Sequence, residues 1–240
     1  MAQLNHLNPY RRLLHGLTGL LALSPMWGHA QANWPSKPIH FIVPFSAGGA
    51  NDLMGRAAAE GASKVLGQTV VVDNRPGAGG SLGASIVAKS APDGYTFLIS
   101  AAGTISNPMI KASSPYKDED LLPVALIALA PSMVVVPHHA KYQNLKDFVE
   151  ASKASQGFNF ATAGSGSTPH FVAEILNVKY GAKLQPVPYK SGSESTTAVM
   201  GGQVEGTSEA SIIALPHILH DGKFKALATT WTQRLSAYPQ

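Results

Sequence analysis

The chain has 240 residues, no cysteine and a charged fraction of only 13%, well below the usual quarter of a soluble protein. The lack of cysteine excludes disulfides, thiolate metal sites and thiol nucleophiles. Without residues 1–32, 16 basic residues face 14 acidic ones. A net charge of +2 with no Lys/Arg cluster does not indicate a nucleic-acid-binding surface.

The first 32 residues have the layout of a secretory signal. Arg11 and Arg12 precede a short apolar run, and Ala30-Gln31-Ala32 offers a small-residue cleavage site. The run is too short for a permanent membrane anchor, although an uncut anchor is the alternative. The paired arginines also allow a weak twin-arginine signal. We therefore expect export, with cleavage after Ala32.

The next part of the chain alternates strands with helices. Strands are predicted over 39–45, 69–74 and 95–100, and helices over about 51–66 and 81–90. This alternation predicts a parallel sheet covered by helices. The first helix is expected to end at Gly67 and to bury a face that contains Leu53 and Val65.

A second alternation follows a long apolar stretch at 121–137, which Pro123 and Pro131 interrupt. That stretch predicts a strand that leaves one domain and enters another. Beyond it, strands are predicted over 158–163, 184–189 and 224–230, and helices over about 145–155, 168–180 and 193–202. Asn144 is the expected N-cap of the first of these helices. Two α/β units joined by one crossing segment predict two lobes with a cleft between them.

Each predicted unit has a Gly-rich loop between an apolar strand and a helix, Ser46–Ala50 in one and Gly164–Thr168 in the other. In a parallel sheet such loops lie at the carboxyl ends of strands, where ligands bind. Their N–H groups and the helix N-terminus behind them favour an anion. Each loop alone is more simply a tight turn, but the pair favours a carboxylate held across the cleft.

Nucleotide binding and hydrolysis are less well supported. The stretch at 77–83 nearly matches a dinucleotide fingerprint, but Leu82 stands where its third Gly should be, and no phosphate-binding GxxxxGK[ST] occurs. A G-x-S-x-G elbow is absent, because Gly166 stands in place of the serine. Ser114-Pro115-Tyr116-Lys117 matches S-x-x-K without the signals of a helix start.

Asp52 and His170 are the main titratable candidates. Asp52 stands in the first turn of a helix, as a cap or as an acceptor for a ligand ammonium or hydroxyl. His170 follows the second Gly-rich loop, where it either braces the loop or points into the cleft. His217 and His220 share a helix face but have no third ligand nearby in sequence. No metal site and no cofactor are predicted.

Six stretches taken in order resemble one family across nearly all of 34–240. They are WPSKPIHFIVPFSAGGANDLMGR, GQTVVVDNRPGAGGSLGASIVAKSAPDGYTFL, the NP at 107–108, GSGSTPH, VPYKSG and GGQVEG. In these stretches the chain resembles the solute receptors of tripartite tricarboxylate transporters, the Bug family. Family members continue well beyond this length, so the resemblance implies a first lobe that is incomplete here, through a truncated gene or a partial record.

The resemblance implies a two-lobe periplasmic binding protein of type II-like α/β fold, in which each lobe is a mostly parallel sheet flanked by helices. The expected divisions are a signal peptide at 1–32, lobe 1 at 33–131, lobe 2 at 132–227 and a return segment to lobe 1 at 228–240. Ligand is expected to close the lobes about a hinge.

The function that the resemblance implies is capture of a small organic acid and its delivery to the membrane subunits of a tripartite tricarboxylate-type transporter, without catalysis. Three alternatives stay open. The chain could be an exported hydrolase of a carboxylate or ester that uses Asp52 or His170. It could also present its ligand to a sensor kinase, or be a non-functional fragment.

In this family, backbone N–H groups and waters from the two strand-to-helix loops hold the ligand carboxylate. Carried over to this chain, the implied ligand-binding residues are Phe45, Ser46, Ala47, Gly48, Gly49, Asp52, Ala102, Ser106, Ala163, Gly164, Ser165, Gly166, Ser167, His170, Tyr189, Ser208 and Ser211. Ala102 and Ser106 are expected on a loop at 100–106 that closes one side. Ser191 replaces a family Gly, and the GTSEAS stretch departs from the usual apolar pattern, which puts the distal pocket in doubt.

Overall fold

Two β-sheets organise the chain in the computed structural model, which describes residues 34–111, 113–236 and 238. Both sheets lie in the single unit that runs from Lys37 to Gln240. The predicted signal peptide and its cleavage site fall outside the described residues. We call the part built on the first sheet the first lobe and the part built on the second sheet the second lobe.

The first lobe contains a three-stranded parallel sheet. Its strands are β1 (Ile39–Val43), β2 (Val70–Asn74) and β3 (Thr96–Leu98), and its helices are α1 (Ala50–Leu66), α2 (Ser81–Ala88) and α3 (Ala102–Ile110). Short 3₁₀ turns lie at Ala78–Gly80 and Asp118–Asp120. The strand order is β2-β1-β3, with both pairings parallel. The predicted parallel sheet is therefore confirmed.

The second lobe contains five strands in the order β6-β5-β7-β4-β8. The strands are β4 (Ser132–Pro137), β5 (Phe158–Thr162), β6 (Leu184–Pro188), β7 (Gly206–Ala210) and β8 (Phe224–Thr229). The helices are α4 (Leu145–Ala154), α5 (Thr168–Tyr180), α6 (Gly192–Met200) and α7 (Ser211–Leu219). Only β4 runs against its neighbours β7 and β8, so the sheet is mostly parallel, as predicted. The lobe boundaries given above stay a prediction.

Helices cover both faces of the second sheet. Val134, Phe148 and Phe160 pack on the side of α4 and α5, while Val135 and Val199 pack on the side of α6 and α7. Every residue of β4 is consequently buried, which explains its continuous apolar sequence. Each buried Val or Phe side chain contributes roughly 1.5–3 kcal/mol of burial free energy.

The helix ends follow local sequence signals. The Asn144 side chain accepts a hydrogen bond from the Asp147 N–H at 3.0 Å, which confirms it as the N-cap of α4. Gly67 and Gly181 end α1 and α5 with φ of 62° and 67°. A residue with a side chain adopts this left-handed conformation only at a cost, so glycine is the usual choice at this position.

The face on which α1 packs differs from the prediction. Leu53 and Val65 are exposed, whereas Asp52, Gly55 and Ala59 are buried. A Cβ atom at Gly55 would lie 3.2 Å from Val43 and 3.3 Å from Ile99. Small residues therefore let α1 lie close to the sheet, and this packing outweighs the apolar periodicity of the helix.

The strand in the crossing segment at 121–137 is also shorter than predicted. No helix or strand is assigned between Leu121 and Pro131, and β4 begins at Ser132. Leu122, Val124 and Leu126 of this segment are exposed. Of the helices in the described part of the chain, none combines the length and hydrophobicity required to cross a bilayer.

Candidate functional site

The first Gly-rich loop connects β1 to α1 and is braced from inside its own lobe. Asp52 accepts hydrogen bonds from the Gly48 N–H at 2.9 Å, from Arg56 Nε at 3.0 Å and from Asn74 Nδ2 at 3.0 Å. Asn74 Nδ2 also donates to the carbonyl oxygen of Phe45 at 3.0 Å. These bonds hold the loop in one conformation.

The carboxylate of Asp52 is fully engaged by this network. Burial by itself would raise the pKa of Asp52, but the hydrogen bonds from Arg56, Gly48 and Asn74 outweigh burial and lower it below its ordinary value. An ionised carboxylate that already accepts from Gly48, Arg56 and Asn74 offers little to a ligand. In the structure Asp52 braces the first loop instead of capping α1, and its role as a ligand acceptor stays a prediction.

The second Gly-rich loop connects β5 to α5 and is braced in a similar way. The Gly166 N–H donates to His170 Nδ1 at 3.3 Å, so His170 supports the loop. Ser167 is the N-cap residue of α5 but makes no side-chain capping bond. Its hydroxyl is buried and has no hydrogen-bond partner among the described residues. A buried unsatisfied hydroxyl at a helix N-terminus is a candidate ligand contact.

Both loops also keep unused backbone donors. Within the described residues, the N–H groups of Ser46, Ala47 and Gly49 donate no hydrogen bond, and neither do those of Gly164 and Ser165. Each set lies at the positive end of a helix. The two loops are thus suited to bind a carboxylate through neutral donors.

The two loops contact neighbouring cavities, not one shared cavity. The first loop lines a cavity of about 450 Å³ formed by Ser46, Ala47, Tyr189, Ser191, Ser193, Glu194, Thr197, Ala198 and Gln203. The second loop lines one of about 350 Å³ formed by Gly77, Ala78, Gly79, Ala163, Gly164, Ser165, Pro188, Tyr189, Lys190 and Glu194. Tyr189 and Glu194 line both cavities.

Sequence reasoning missed two elements of these cavities. One is the N-terminus of α6, which the Ser191 hydroxyl caps by accepting from the Glu194 N–H at 3.3 Å. The other is the 3₁₀ turn Ala78–Gly80, which Lys111 holds through a 2.8 Å bond to the Ala78 carbonyl oxygen. The serine-rich SGSES stretch at the start of α6 was the available signal for the first element.

Residues 100–106 were predicted as a loop, but α3 begins at Ala102. The buried face of α3 contains Gly103, Thr104 and Asn107. Ala102 is exposed, and the Ser106 hydroxyl donates to the Ala102 carbonyl oxygen at 3.0 Å. The predicted loop is therefore corrected to a helix, which turns residues 103, 104 and 107 to the same side, while the ligand-binding role of Ala102 and Ser106 stays a prediction.

The two predicted residues on β7 and α7 have different surroundings. Ser208 is completely buried and its hydroxyl has no partner among the described residues. Ser211 begins α7, and its N–H donates to the Pro131 carbonyl oxygen at 2.8 Å. Glu209 lies beside Ser208 and could not be identified from the sequence pattern. Burial raises the pKa of Glu209 to about 8.

Four buried polar atoms in the described residues have no hydrogen-bond partner: Thr104 Oγ1, Asn107 Oδ1, Ser167 Oγ and Ser208 Oγ. A buried polar group without a partner costs about 1–3 kcal/mol. A bound ligand or an ordered water would remove this cost. The described residues contain no group of three or more side chains able to hold a metal ion.

A family model described as "Tripartite tricarboxylate transporter family receptor" matches residues 54–240. The chain belongs to this receptor family. The relatives include Protein BugT of Bordetella pertussis, which is 37% identical over 213 residues, or 86% of this chain and 64% of BugT. A UPF0065 protein of Bordetella bronchiseptica is 36% identical over 92% of this chain and 65% of its own length. The chain thus spans about two thirds of the length of these relatives.

Solved structures give the same result. The periplasmic binding protein BugD is 31% identical with a TM-score of 0.78, over 84% of this chain and 68% of BugD. MatC from Rhodopseudomonas palustris, solved with bound malate, is 28% identical with a TM-score of 0.79, over 84% of this chain and 69% of MatC. Rpa4515 of R. palustris, solved with adipate, is 30% identical with a TM-score of 0.78, over 84% of this chain and 68% of Rpa4515.

The comparisons confirm the predicted family, the two-lobe binding-protein fold and the prediction of a binding protein instead of an enzyme. The geometry agrees with that result, because Asp52 and His170, the proposed residues of a hydrolase, are used to brace the two loops. The ligand-binding roles assigned to individual residues stay predictions.

Proposed function

We propose that this receptor binds a small organic acid in the periplasm and delivers it to the membrane subunits of a tripartite tricarboxylate-type transporter. The observation that carries the proposal is the N-terminus of α5, where, among the described residues, the Ser167 hydroxyl is buried without a partner and the N–H groups of Gly164 and Ser165 are unused. The malate and adipate in the structures of the two R. palustris relatives support a carboxylate ligand.

The donor set defines how the acid is held. One carboxylate binds at the second loop through N–H groups and the Ser167 hydroxyl, in the positive field at the start of α5. The first loop offers the N–H groups of Ser46, Ala47 and Gly49 from the other lobe. Thr104 and Ser208 have buried hydroxyls that can bond to the remainder of the ligand. Neutral, preorganised donors bind an anion without a buried counter-charge.

Export and delivery complete the proposal. The basic residues, apolar run and Ala30-Gln31-Ala32 site support a cleaved signal peptide that ends at Ala32. Delivery to the transporter rests on membership of the receptor family. The ligand-closed form of the lobes is the form that the membrane subunits would recognise.

Thermal unfolding and calorimetric titration with L-malate, adipate and citrate test this function. An acid present at about a hundred times its Kd adds about 2.7 kcal/mol of stability, which raises Tm by about 5–10 °C for a chain of this size. A cooperative transition that none of these acids shifts would contradict the proposal.

The role of Ser167 is tested with Ser167→Ala. We expect the Kd of the acid to rise about tenfold, the equivalent of one hydrogen bond. The Tm without acid should not fall, because the hydroxyl has no partner in the described residues. Ser90→Ala is the matched control, because the Ser90 hydroxyl follows α2 and makes an exposed bond to the Ile86 carbonyl oxygen of that helix. Equal affinity in both variants would argue against contact with Ser167.

A further inference from the structure

Glycines form the contact between the two lobes. Gly103 of α3 faces the second loop, and a Cβ atom at this position would lie well under 3.0 Å from the carbonyl oxygen of Gly166 and 3.1 Å from Ser167 Cα. Real Cβ atoms essentially never approach a backbone atom so closely. The lobes therefore meet here with no side chain between them.

Two more glycines at the boundary between the lobes leave no room for a Cβ atom. A Cβ atom at Gly79 would collide with the carbonyl oxygen of Ser165 and lie 2.9 Å from its carbonyl carbon. A Cβ atom at Gly166 would collide with Asn107 Oδ1, and Asn107 is completely buried. Asn107 Nδ2 donates to the Gly79 carbonyl oxygen at 3.1 Å. One asparagine thus fixes the first-lobe glycine in the place where the second lobe meets it.

At Gly79 and Gly103 the obstacle that a Cβ atom would meet is backbone, which cannot rotate away as a flexible side chain can. In both cases this backbone belongs to the second loop, in the opposite lobe. A methyl group at Gly103 would leave the packing within each lobe unchanged and would hold the lobes apart by several tenths of an ångström at least. Close-packed boundaries transmit such a displacement instead of absorbing it.

We propose that Gly79 and Gly103 are positioning residues for lobe closure, which control the affinity for ligand without touching it. Their lack of side chains permits the separation at which the first and second loops act together. An opened boundary lowers the closed population, and the observed affinity falls in proportion to that population. This inference rests on the proposed function for its ligand readout only, since lobe separation can be measured without ligand.

Gly103→Ala is the informative variant because Gly103 lies inside α3, where alanine has the higher helix propensity. A purely local effect would therefore stabilise the chain. Gly61→Ala is the matched control, since Gly61 lies inside α1 and a Cβ atom there would meet nothing within 4 Å. Gly79 is less suitable because its φ is +62°, so alanine would add local strain.

Lobe separation is measured by fluorescence energy transfer. The chain has no cysteine, so Lys64→Cys in α1 and Lys179→Cys in α5 supply the sole two labelling sites, both exposed. Without any acid, we expect lower transfer efficiency in the Gly103→Ala protein than in the parent, and equal efficiency in the Gly61→Ala protein. Both proteins should still unfold cooperatively.

The second readout is a titration with L-malate, in which we expect Gly103→Ala to raise Kd about tenfold if the closed fraction falls to about a tenth. Unchanged energy transfer in the Gly103→Ala protein would overturn the inference. Loss of cooperative unfolding would also overturn it, because the predicted collision lies between lobes and not within one. If no acid binds to the parent, the proposed function fails, while the energy-transfer result still decides this inference.

Discussion

Glu209 provides a direct test of the energetics of the second lobe. Its side chain is buried, with 5% of its surface exposed, and burial raises its pKa from an ordinary value of 4.5 to about 8. The hydrogen bond that it accepts from the Thr207 hydroxyl at 3.4 Å offsets only part of this effect. In Glu209→Gln, an amide of the same shape replaces the carboxyl group and does not titrate. We expect this variant to gain stability relative to the wild-type chain as pH rises.

The magnitude follows from the difference between the folded and unfolded pKa values. Because the folded pKa is the higher one, the folded state retains a proton that the unfolded state releases, so stability is lost between about pH 4.5 and 8. At 1.36 kcal/mol per pKa unit, the loss is about 3 kcal/mol by pH 7 and at most about 5 kcal/mol above pH 8. The difference in Tm between the two proteins should therefore widen by about 6–12 °C between pH 4.5 and 7.

Urea unfolding of the wild-type and Glu209→Gln proteins, repeated between about pH 4.5 and 8, measures the difference in their free energies of unfolding. Effects of all other titrating groups cancel because both proteins contain them. Glu60→Gln removes the same charge from an exposed surface pair with Lys64 and serves as the control. Parallel profiles for the wild-type and Glu209→Gln proteins would refute the reasoning, since they would show that water or a donor stabilises the Glu209 carboxylate in the folded state.

Two further variants test the local structure. Asp52→Asn should lower the free energy of unfolding by about 1–3 kcal/mol at pH 7, because it disrupts hydrogen bonds that brace the first loop. The pKa of Asp52 is lowered in the folded state, so the difference in free energy of unfolding between the two proteins should shrink as pH falls below 3.8. Acid unfolding measures this change. A difference that stays constant with pH would contradict the bracing role. Asn144→Ala should cost about 1 kcal/mol through loss of the α4 cap, whereas Asn144→Ser should restore most of it in thermal melts. Equal Tm values for the two Asn144 variants would show that the cap contributes nothing.

Local signals in the sequence predicted the elements that depend on near neighbours. The alternation of apolar strands with helices, the Asn144 cap and the Gly67 helix stop are all confirmed. The exception is α3, which was predicted as a loop although it is helical from Ala102. Pro108 lies inside that helix and weakened the sequence signal, since proline normally ends or kinks a helix.

The roles of individual site residues were less predictable, because they depend on how each Gly-rich loop folds back on the side chain that follows it. From the sequence, Asp52 could cap its helix or face a ligand, and its bonds to Gly48 and Asn74 were not predicted. His170 appeared able to point into the cleft, but it accepts a bond from Gly166. In each case a hydrogen-bond donor in a neighbouring loop determines whether the side chain braces the loop or faces the cleft.

The sequence by itself determined that this chain forms two α/β lobes with a Gly-rich loop at the start of a helix in each, because strand and helix periods and glycine conformations are local properties. Only the tertiary structure decided that α1 packs through small residues, that the first loop faces α6, and that Gly103 meets the backbone of Gly166. These features depend on how closely elements that are distant in sequence approach each other, and no local period in the sequence encodes that distance.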